Sequence, residues 1–451
     1  MQPADLQVAT GEVVELLQQL IRNKCVNDGR PTSGEEERNA DTLASYLEGA
    51  GLDVERFALL PGRTSLVARM EGRVPGAPKV CLMGHTDVVP VNPAGWREDP
   101  FGAAIRGGEL WGRGSVDMLN LTASMATVVR NLALGAQGPA GDVIFFAVAD
   151  EEATGTFGAG WMVDHHWDAI ACDYVLTENG GLVSKGPAGR RVLMHVAEKG
   201  FAWRRLTIRG TPGHGSMPYG ADNAVVTAAH VIERLAAYVP RTEVTELWRE
   251  RVSTLDLPPD VRAAMVDPAT ARQAIESVQG PGAAANFHAC THTTFSPNLA
   301  HGGIKTNVIP DRVDLDVDIR TLPGETPHTV AEHLRAALGD DLFEQVEIHS
   351  LGDSPATASP VETPMWSAMS GAAKAHYPDA ELVGAMIVGL TDARFFRQKG
   401  AVAYGAGLMS TAVSGADFSS RFHGNNERVD IESLRLTTDF FARVLDRFWT
   451  P

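Results

Sequence analysis

The chain has 451 residues, a formal net charge of −17 at pH 7 and an apolar content of 44%. This length is about twice that at which a single hydrophobic core stops growing, so it predicts two domains. The acidic balance argues against nucleic acids and anionic membranes as partners. The sequence contains no bilayer-spanning apolar segment, and residues 1–20 lack the continuous apolar stretch of a signal peptide. We therefore expect a cytoplasmic protein whose four separated cysteines stay reduced.

The first part of the chain alternates segments of helical spacing with short apolar segments. The spacing predicts helices at 12–22, 34–50, 117–134 and 158–166, and strands at 64–70, 79–84, 142–149 and 173–177. Thr32 and Ser33 are candidate capping residues for the second helix. Alternating helices and buried strands are typical of a largely parallel sheet covered by helices.

The pattern changes after residue 198. Strands are predicted at 203–208, 313–320 and 345–350, and helices at 222–238 and 326–338, whereas 240–300 is poorly patterned. This order resembles a small ferredoxin-like α+β unit inserted into the first domain. From residue 356 the earlier style resumes and ends in an amphipathic helix at 430–448. We expect a discontinuous α/β catalytic domain, 1–198 and 356–451, with an inserted lid at 199–355.

Acidic and imidazole groups are concentrated in five short segments. Each lies at a predicted strand end or in a loop, and the residues are His85 and Asp87, Asp117, Glu151 and Glu152, Glu178, and His423. Ligands collect at the carboxyl ends of strands in open α/β sheets, so these segments can meet. Clustered carboxylates repel one another unless cations lie between them. Two divalent ions about 3.5–4 Å apart would relieve this repulsion, and the mixed ligand set suits zinc, cobalt or manganese.

Each segment alone has a structural explanation. A single His before a strand-end Asp, or paired glutamates at a strand terminus, usually belongs to a solvated edge, and an Asp at the start of a helix is usually a cap. The pairs His165-His166 and the histidines of the 288–301 region are interpreted as surface, loop or lid residues. Only the combination of segments favours a metal site.

Six motifs, in order and spacing, resemble the M20 metallopeptidase family. They are HTDVVP at 85–90, GRGSVDM at 112–118, DEEATGTFGAG at 150–160, GTPGHGSMP at 210–218, NVIPDRVDLDVDIR at 307–320 and HGNNERV at 423–429. The resemblance covers residues 12–447, and the long insertion is most similar to the carboxypeptidase S branch. That family also includes aminoacylase-1, succinyl-diaminopimelate desuccinylase and glutamate carboxypeptidase. One departure is Leu119-Asn120, where many members have Lys-Gly.

The resemblance implies a zinc-peptidase-like catalytic domain with two divalent ions, of which zinc is the first expectation. His85, Asp117 and Glu178 would hold one ion, and Asp117 would bridge to a second ion completed by Glu152 and His423. Asp87 would orient His85, and Glu151 would be the general base. These roles are expectations drawn from the family.

The resemblance also assigns three lid residues. His214 would stabilise the oxyanion, and Arg320, with Asn307, would bind the substrate, because an arginine fork suits a planar carboxylate. A homodimer formed through the lid would deliver His214 to the partner's active site. The expected activity is hydrolysis of amide bonds in N-acyl amino acids or short peptides that carry a free carboxylate. A dipeptidase, or a catalytically silent binding protein of the same fold, are the alternatives.

Overall fold

The computed structural model describes residues 3–186, 189–278 and 281–449. Its largest sheet has ten strands. Eight of them follow one another across the sheet in the order Asp53–Ala58, Thr64–Met70, Val143–Val148, Val80–His85, Tyr174–Thr177, Val402–Gly405, Gly189–Glu198 and Thr357–Ala358. Strands Gly180–Gly186 and Glu381–Ile387 also pair with Gly189–Glu198. The central strands are parallel, whereas the outer pairs are mostly antiparallel.

Helices cover both faces of this sheet, as the sequence predicts. Alternating side chains explain this: Leu82 packs into one buried cluster, whereas Cys81 and Met83 pack into another on the opposite face. The first face is covered by helices Pro3–Arg22, Glu37–Leu47, Leu119–Leu134, Pro364–Lys374 and Ile431–Phe448. The other face is covered by helices Trp161–His165, Trp167–Ile170 and Ala393–Gln398.

A second sheet of four antiparallel strands has its own core. Its spatial order is Thr294–Gly302, Arg312–Thr321, Gly200–Arg209 and Val346–Ser354. Helices Ala224–Ala237 and Pro327–Phe343 bury their apolar sides against it. This is the strand order of a ferredoxin-like unit and confirms the predicted fold class. A strand pair beside it joins Gly213–His214 to Val308–Ile309.

The poorly patterned segment 240–300 folds mainly into four helices: Glu246–Ser253, Pro259–Met265, Ala271–Glu276 and Pro281–Thr291. Trp248, Val252 and Met265 from these helices belong to the same buried cluster as the ten-stranded sheet. The insertion therefore packs on the catalytic sheet, although it lies inside the predicted lid range. The domain boundaries at 198 and 355 stay a prediction.

Two loops near the main sheet are joined by a small three-stranded sheet of Ala104–Arg106, Glu109–Trp111 and Arg428–Asp430. Helix Gly415–Arg421 precedes its last strand. Short helical turns cover Pro93–Gly95, Glu151–Ala153 and Thr156–Gly160. Among the described residues, no helix combines the length and apolar character that crossing a bilayer requires.

Candidate metal centre

Three parallel strands bring acidic and imidazole groups to one edge of the main sheet. His85 is the last residue of strand Val80–His85, which pairs in parallel with Val143–Val148 and with Tyr174–Thr177. Glu151 and Glu152 follow the second strand, and Glu178 follows the third. Because parallel strands end at the same edge, these side chains meet there.

The three-stranded sheet adds Asp117 and His423. Strand Glu109–Trp111 leads into the loop that carries Asp117, and its antiparallel partner Arg428–Asp430 follows the loop that carries His423. The two loops therefore arrive side by side although they are distant in sequence. Asp117 is buried, whereas the His423 side chain is 56% exposed and lies at the mouth of the site.

Asp117 lies between the two imidazoles. Its Oδ1 atom is 3.3 Å from Nε2 of His85, and its Oδ2 atom is 3.2 Å from Nε2 of His423. The same nitrogen of His423 is 3.2 Å from Oε2 of Glu152. A carboxylate that faces a different ligand group with each oxygen is suited to bridging two ions.

Asp87 holds the ring of His85 from behind. Nδ1 of His85 is 3.0 Å from the Asp87 carbonyl oxygen and 3.5 Å from its Oδ1 atom. The other carboxylate oxygen of Asp87 accepts hydrogen bonds from the side-chain amide of Asn27 at 2.8 Å and from the backbone N–H of Glu152 at 3.1 Å. Such partners fix the orientation of a metal-binding imidazole.

The adjacent glutamates have different neighbours. Glu152 lies against His423, whereas Oε2 of Glu151 is 3.9 Å from Nε2 of His85. The candidate ligand atoms form two sets, and within each set all atoms lie within 4.8 Å of one another. The first set is His85, Asp117 and Glu152, and the second is His85, Glu151 and Glu178. Different surroundings favour different roles for the pair.

The acids of the site outnumber its cationic partners. Burial raises the pKa of Glu178 and of Glu151 well above the ordinary range, and neighbouring carboxylates add to both shifts. Hydrogen bonds to Asp117 and Glu152 raise the pKa of His423 to about 10. Burial acts to lower the pKa of His85, but hydrogen bonds to Asp117 and Asp87 raise it overall. Without metal ions, protons held by the glutamates and histidines offset the negative charge of the site. Divalent cations would neutralise that charge more fully.

The residues fit a dinuclear metal centre. Oδ1 of Asp87 and Oε1 of Glu152 are buried and have no hydrogen-bond partner among the described residues. Unsatisfied carboxylate oxygens beside two imidazoles form a donor set that divalent ions of the zinc, cobalt and manganese type accept. The His165-His166 pair and the histidines of 288–301 are absent from both candidate ligand sets in the described part of the chain.

The backbone around the centre is strained. Asp150, Asn179 and His423 have φ angles of 74°, 67° and 52°, which lie in the left-handed region that non-glycine residues seldom adopt. Each lies within one residue of a candidate ligand or base, or is one. Such strain persists where the surrounding structure fixes it, and it accumulates at functional sites.

Among the described residues, none of the three predicted lid residues forms a hydrogen bond or an ion pair with a residue of this cluster. His214 and Asn307 are neighbours, because Gly213–His214 pairs with Val308–Ile309, and both are exposed. Nδ1 of His214 accepts the backbone N–H of Ser216 at 3.2 Å, so Nε2 carries the proton and remains a donor. Arg320 donates to Asp318 at 2.8 Å and lies over the Trp203 ring. The structure thus brings the metal-ligand candidates together but leaves these three on the lid.

Glu427 is a buried site residue that sequence reasoning missed. Its Oε1 atom accepts the backbone N–H groups of Val116 at 2.7 Å and Asp117 at 3.0 Å, and its Oε2 atom pairs with Arg113 at 2.7 Å. Arg113 also donates to the carbonyl of His423 at 3.2 Å. Glu427 therefore ties the Asp117 loop to the His423 loop. The sequence signal for this role was a glutamate at the end of the HGNNE segment, four residues after the candidate ligand His423.

Two other buried groups were missed. Burial raises the pKa of Asp392 to about 7, and neither of its carboxylate oxygens has a hydrogen-bond partner among the described residues. Arg63 is 1% exposed and pairs with Asp150 and, at 3.1 Å, with Glu36. Thr391-Asp392, just beyond strand Glu381–Ile387, was a strand-end signal like those recognised earlier.

Comparison with known proteins places this geometry in context. The model of peptidase family M20/M25/M40 matches residues 81–447. The succinyl-diaminopimelate desuccinylase of Gluconacetobacter diazotrophicus is 28% identical, over 90% of this chain and 90% of its own. The N-fatty-acyl-amino acid synthase/hydrolase PM20D1 of Xenopus tropicalis is 24% identical, over 96% of this chain and 85% of its own.

Among solved structures, the M20 family metallo-carboxypeptidase Sso-CP2 from Sulfolobus solfataricus superposes with a TM-score of 0.71. The match covers 97% of this chain and 99% of that one, at 19% identity. At this identity the likeness concerns the fold.

Proposed function

The chain belongs to peptidase family M20/M25/M40 and is a hydrolase of amide bonds, and from this premise we propose that it cleaves N-acyl amino acids or short peptides that carry a free carboxylate. The cofactor would be two divalent ions, zinc in the first instance. The single observation that carries the proposal is Asp117, whose two oxygens lie 3.3 and 3.2 Å from two different imidazoles.

The family resemblance suggests the ligand roles, and the contacts around Asp117 support them. His85, Asp117 and Glu178 would hold one ion, and Asp117, Glu152 and His423 the other, with Asp87 orienting the His85 ring. When bound, the ions would polarise the scissile carbonyl and lower the pKa of the attacking water. Glu427 would keep the Asp117 and His423 loops at the spacing that both ions require.

Glu151 is the proposed general base. It lies in the cluster but away from His423, so its carboxylate is free to take a proton from the attacking water and to pass it to the leaving nitrogen. The carboxylate of the adjacent Glu152 already contacts His423. The separation of the two side chains supports the assignment of different tasks.

His214, Asn307 and Arg320 would complete the site when the lid closes. The protonated Nε2 of His214 is a suitable donor to an oxyanion, and Arg320 has guanidinium nitrogens left over for a substrate carboxylate. Because His214 is exposed and forms no hydrogen bond or ion pair with the described residues of the cluster, we propose that it acts in the partner's site of a homodimer.

The dimer would form through the lid. Strand Thr294–Gly302 is at the edge of the four-stranded sheet, and Leu299 on it is 53% exposed. Val225 and Val226 of the adjacent helix are 46% and 53% exposed, and Ile304 is 90% exposed. Exposed apolar residues beside an open strand edge favour association with a second copy.

A substrate screen tests the proposed activity. N-acetyl, N-succinyl and long-chain N-acyl amino acids, their C-terminal amides, and dipeptides would be incubated with zinc, cobalt or manganese. We expect hydrolysis of the acids and a sharply higher KM for the amides. Equal rates on acids and amides would refute the carboxylate requirement. A preference for dipeptides with a free amino group would favour the dipeptidase alternative.

Mixed dimers test the role of His214. Inactive His214→Ala and Glu151→Ala subunits would be combined, and a mixed dimer should regain one complete site if His214 acts in the partner. If mixed dimers form without activity, His214 acts only within its own chain.

A catalytically silent protein would show no hydrolysis with any substrate and metal.

A reducing compartment fits the cysteines. Cys25, Cys81, Cys172 and Cys290 are all unpaired, and three of them are buried. We propose a cytoplasmic location on this ground.

A further inference from the structure

A cavity of about 790 Å³ adjoins the metal centre. Its lining includes Asn179, which follows the candidate ligand Glu178, and Phe422, which precedes the candidate ligand His423. The helices Glu246–Ser253 and Pro281–Thr291 form one side of it, and strands of the main sheet form the other. The helices of the insertion thus create a cavity that extends from the metal centre.

The walls of this cavity are mostly apolar. The large apolar side chains among them include Leu182, Leu193, Leu247, Trp248, Phe287 and Phe418. Trp248 is 3% exposed, so the insertion is anchored firmly to the sheet. A cavity of this size and character accommodates an apolar group far larger than an acetyl group.

The charge in the cavity has one sign. Within the described part of the chain, its lining contains no Asp or Glu and one permanently charged residue, Arg251. Among the described residues, no carboxylate lies within ion-pair distance of Arg251, whose guanidinium donates a hydrogen bond of 3.4 Å to Oγ1 of Thr254. Burial lowers the pKa of Arg251, the direction expected of a cation without an acidic partner. His195 nearby is neutral, because burial and the arginines lower its pKa to about 3.

We propose that this cavity binds the acyl part of the substrate, an apolar chain with a terminal carboxylate that pairs with Arg251. The proposal rests on the proposed function, which directs the amino-acid carboxylate to Arg320 on the lid and leaves the acyl side for the cavity. An apolar wall binds the methylene groups, and a cation without an acidic partner supplies the only charged anchor in the lining. The substrate class is therefore the half-amides of longer dicarboxylic acids.

Three substrates of one amino acid test the preference: the N-acetyl, N-octanoyl and N-(7-carboxyheptanoyl) derivatives. The last two have acyl chains of equal length and differ in the terminal carboxylate. We expect kcat/KM to rise from acetyl to octanoyl, since each buried methylene is worth up to about 4-fold. It should rise by a further 10- to 100-fold, roughly, for the carboxylated chain, the worth of a charge-assisted hydrogen bond. An octanoyl substrate that is hydrolysed as fast as its carboxylated counterpart overturns the proposal.

Arg251→Met keeps an unbranched apolar side chain that reaches about as far as Nε of arginine, but it removes the charged guanidinium group. The ratio of kcat/KM for the carboxylated substrate to that for the octanoyl substrate should fall by roughly 10- to 100-fold. Arg249→Met is the matched control, because Arg249 is exposed on the same helix and lies outside the cavity. An unchanged ratio in Arg251→Met, or an equal fall in both variants, contradicts the role of Arg251.

Ala283→Trp would fill the cavity from helix Pro281–Thr291, and Ala285→Trp on the exposed side of that helix is its control. The first variant should lower the ratio of kcat/KM for octanoyl over acetyl, and the second should leave it unchanged. A wild-type enzyme that cleaves none of the three substrates refutes the proposed function itself. Cleavage of all three with ratios that Ala283→Trp does not alter refutes only the cavity assignment.

Discussion

Two groups of acids in this protein differ in how their charge is compensated. On lid strand Arg312–Thr321 every second residue from 314 to 318 is an aspartate, and each has a partner. Asp316 accepts two hydrogen bonds of 2.7 Å from Arg205, Asp314 accepts one of 2.7 Å from Thr207, and Asp318 accepts one of 2.8 Å from Trp203. The lid acids are a half-buried ladder of cross-strand pairs, typical of sheet stabilisation.

The acids at the edge of the main sheet share only two imidazoles. His85 and His423 face Asp117, Glu151 and Glu152, and Glu178 accepts a hydrogen bond of 2.9 Å from the side chain of Asn179. Burial raises the pKa of Glu178, whereas the bonds from Arg205 lower the pKa of Asp316. A count of acids in the sequence does not separate the two groups, since both are dense. What separates them is pairing with permanently charged cations. Each of the three lid aspartates pairs with an arginine, whereas among the described residues no Arg or Lys pairs with a carboxylate of the metal centre, and this deficit marks the site that needs metal ions.

Removal of the ions should have the largest effect and affect only the main-sheet acids. Chelation should abolish activity, and elemental analysis of the purified protein should find about two divalent ions per chain. At a free ion concentration about 1,000 times its Kd, binding should add about 4 kcal/mol to the stability, which is measurable by calorimetry. The His423→Ala variant should lose mainly the ion that His423 shares with Asp117 and Glu152. Full activity in the presence of chelator would show that the main-sheet acids need no metal ions, and the proposed difference from the lid acids would then be wrong.

Glu151→Ala should keep most of the metal but lower turnover by a factor on the order of 10²–10⁴, the usual contribution of a general base. Metal content and kcat are measured on the same preparation. If this variant loses metal while Glu152→Ala does not, the roles of the two glutamates are reversed.

Asp392→Asn tests the cost of an uncompensated buried acid in the metal-free protein. The pKa of Asp392 is raised from 3.8 to about 7 in the folded state, so the unfolded chain releases its proton first as pH increases. The wild-type protein therefore loses stability between about pH 4 and pH 7. The variant should be more stable by at most about 4 kcal/mol at pH 8, and the gain should vanish near pH 4. Urea unfolding at both pH values measures it, and an equal gain at both would exclude ionisation as the cause.

Asp316→Asn should have the smallest effect and the opposite pH dependence. Because Arg205 lowers the pKa of Asp316, the pair stabilises the fold above about pH 4 and loses its effect as pH falls below that value. The pair is partly exposed, with 38% of the Arg205 side chain and 16% of the Asp316 side chain accessible, so its loss should lower the melting temperature by less than about 2 °C at pH 7. A larger fall would show that the lid acids matter more than their exposure suggests.

The sequence was sufficient for features that depend on local pattern. His85, the paired glutamates and Glu178 end predicted strands, and the ferredoxin-like order follows from period-two and helical spacing. Contacts between distant segments were not predictable. The partners of Glu427 lie 310 to 314 positions away, and nothing in the local sequence encodes that separation.

One local prediction failed, and one segment gave no prediction at all. The helix at Glu37–Leu47 begins after Glu36 and has no side-chain cap from Thr32 or Ser33, since the Ser33 hydroxyl donates to the Arg30 carbonyl at 2.8 Å instead. The segment 240–300 gave no clear pattern because its helices are short, with six to eleven residues each, and bury only a few side chains. Tertiary packing decides such segments.

The link between Glu427 and the Asp117 loop has a consequence during synthesis. Arg113 leaves the ribosome 310 residues before His423, to whose carbonyl it will donate. Until then the nascent chain carries the acids of the site without the strand Arg428–Asp430 that aligns the two loops. A translation product that stops before this strand is therefore expected to be an inert fragment rather than an active hydrolase.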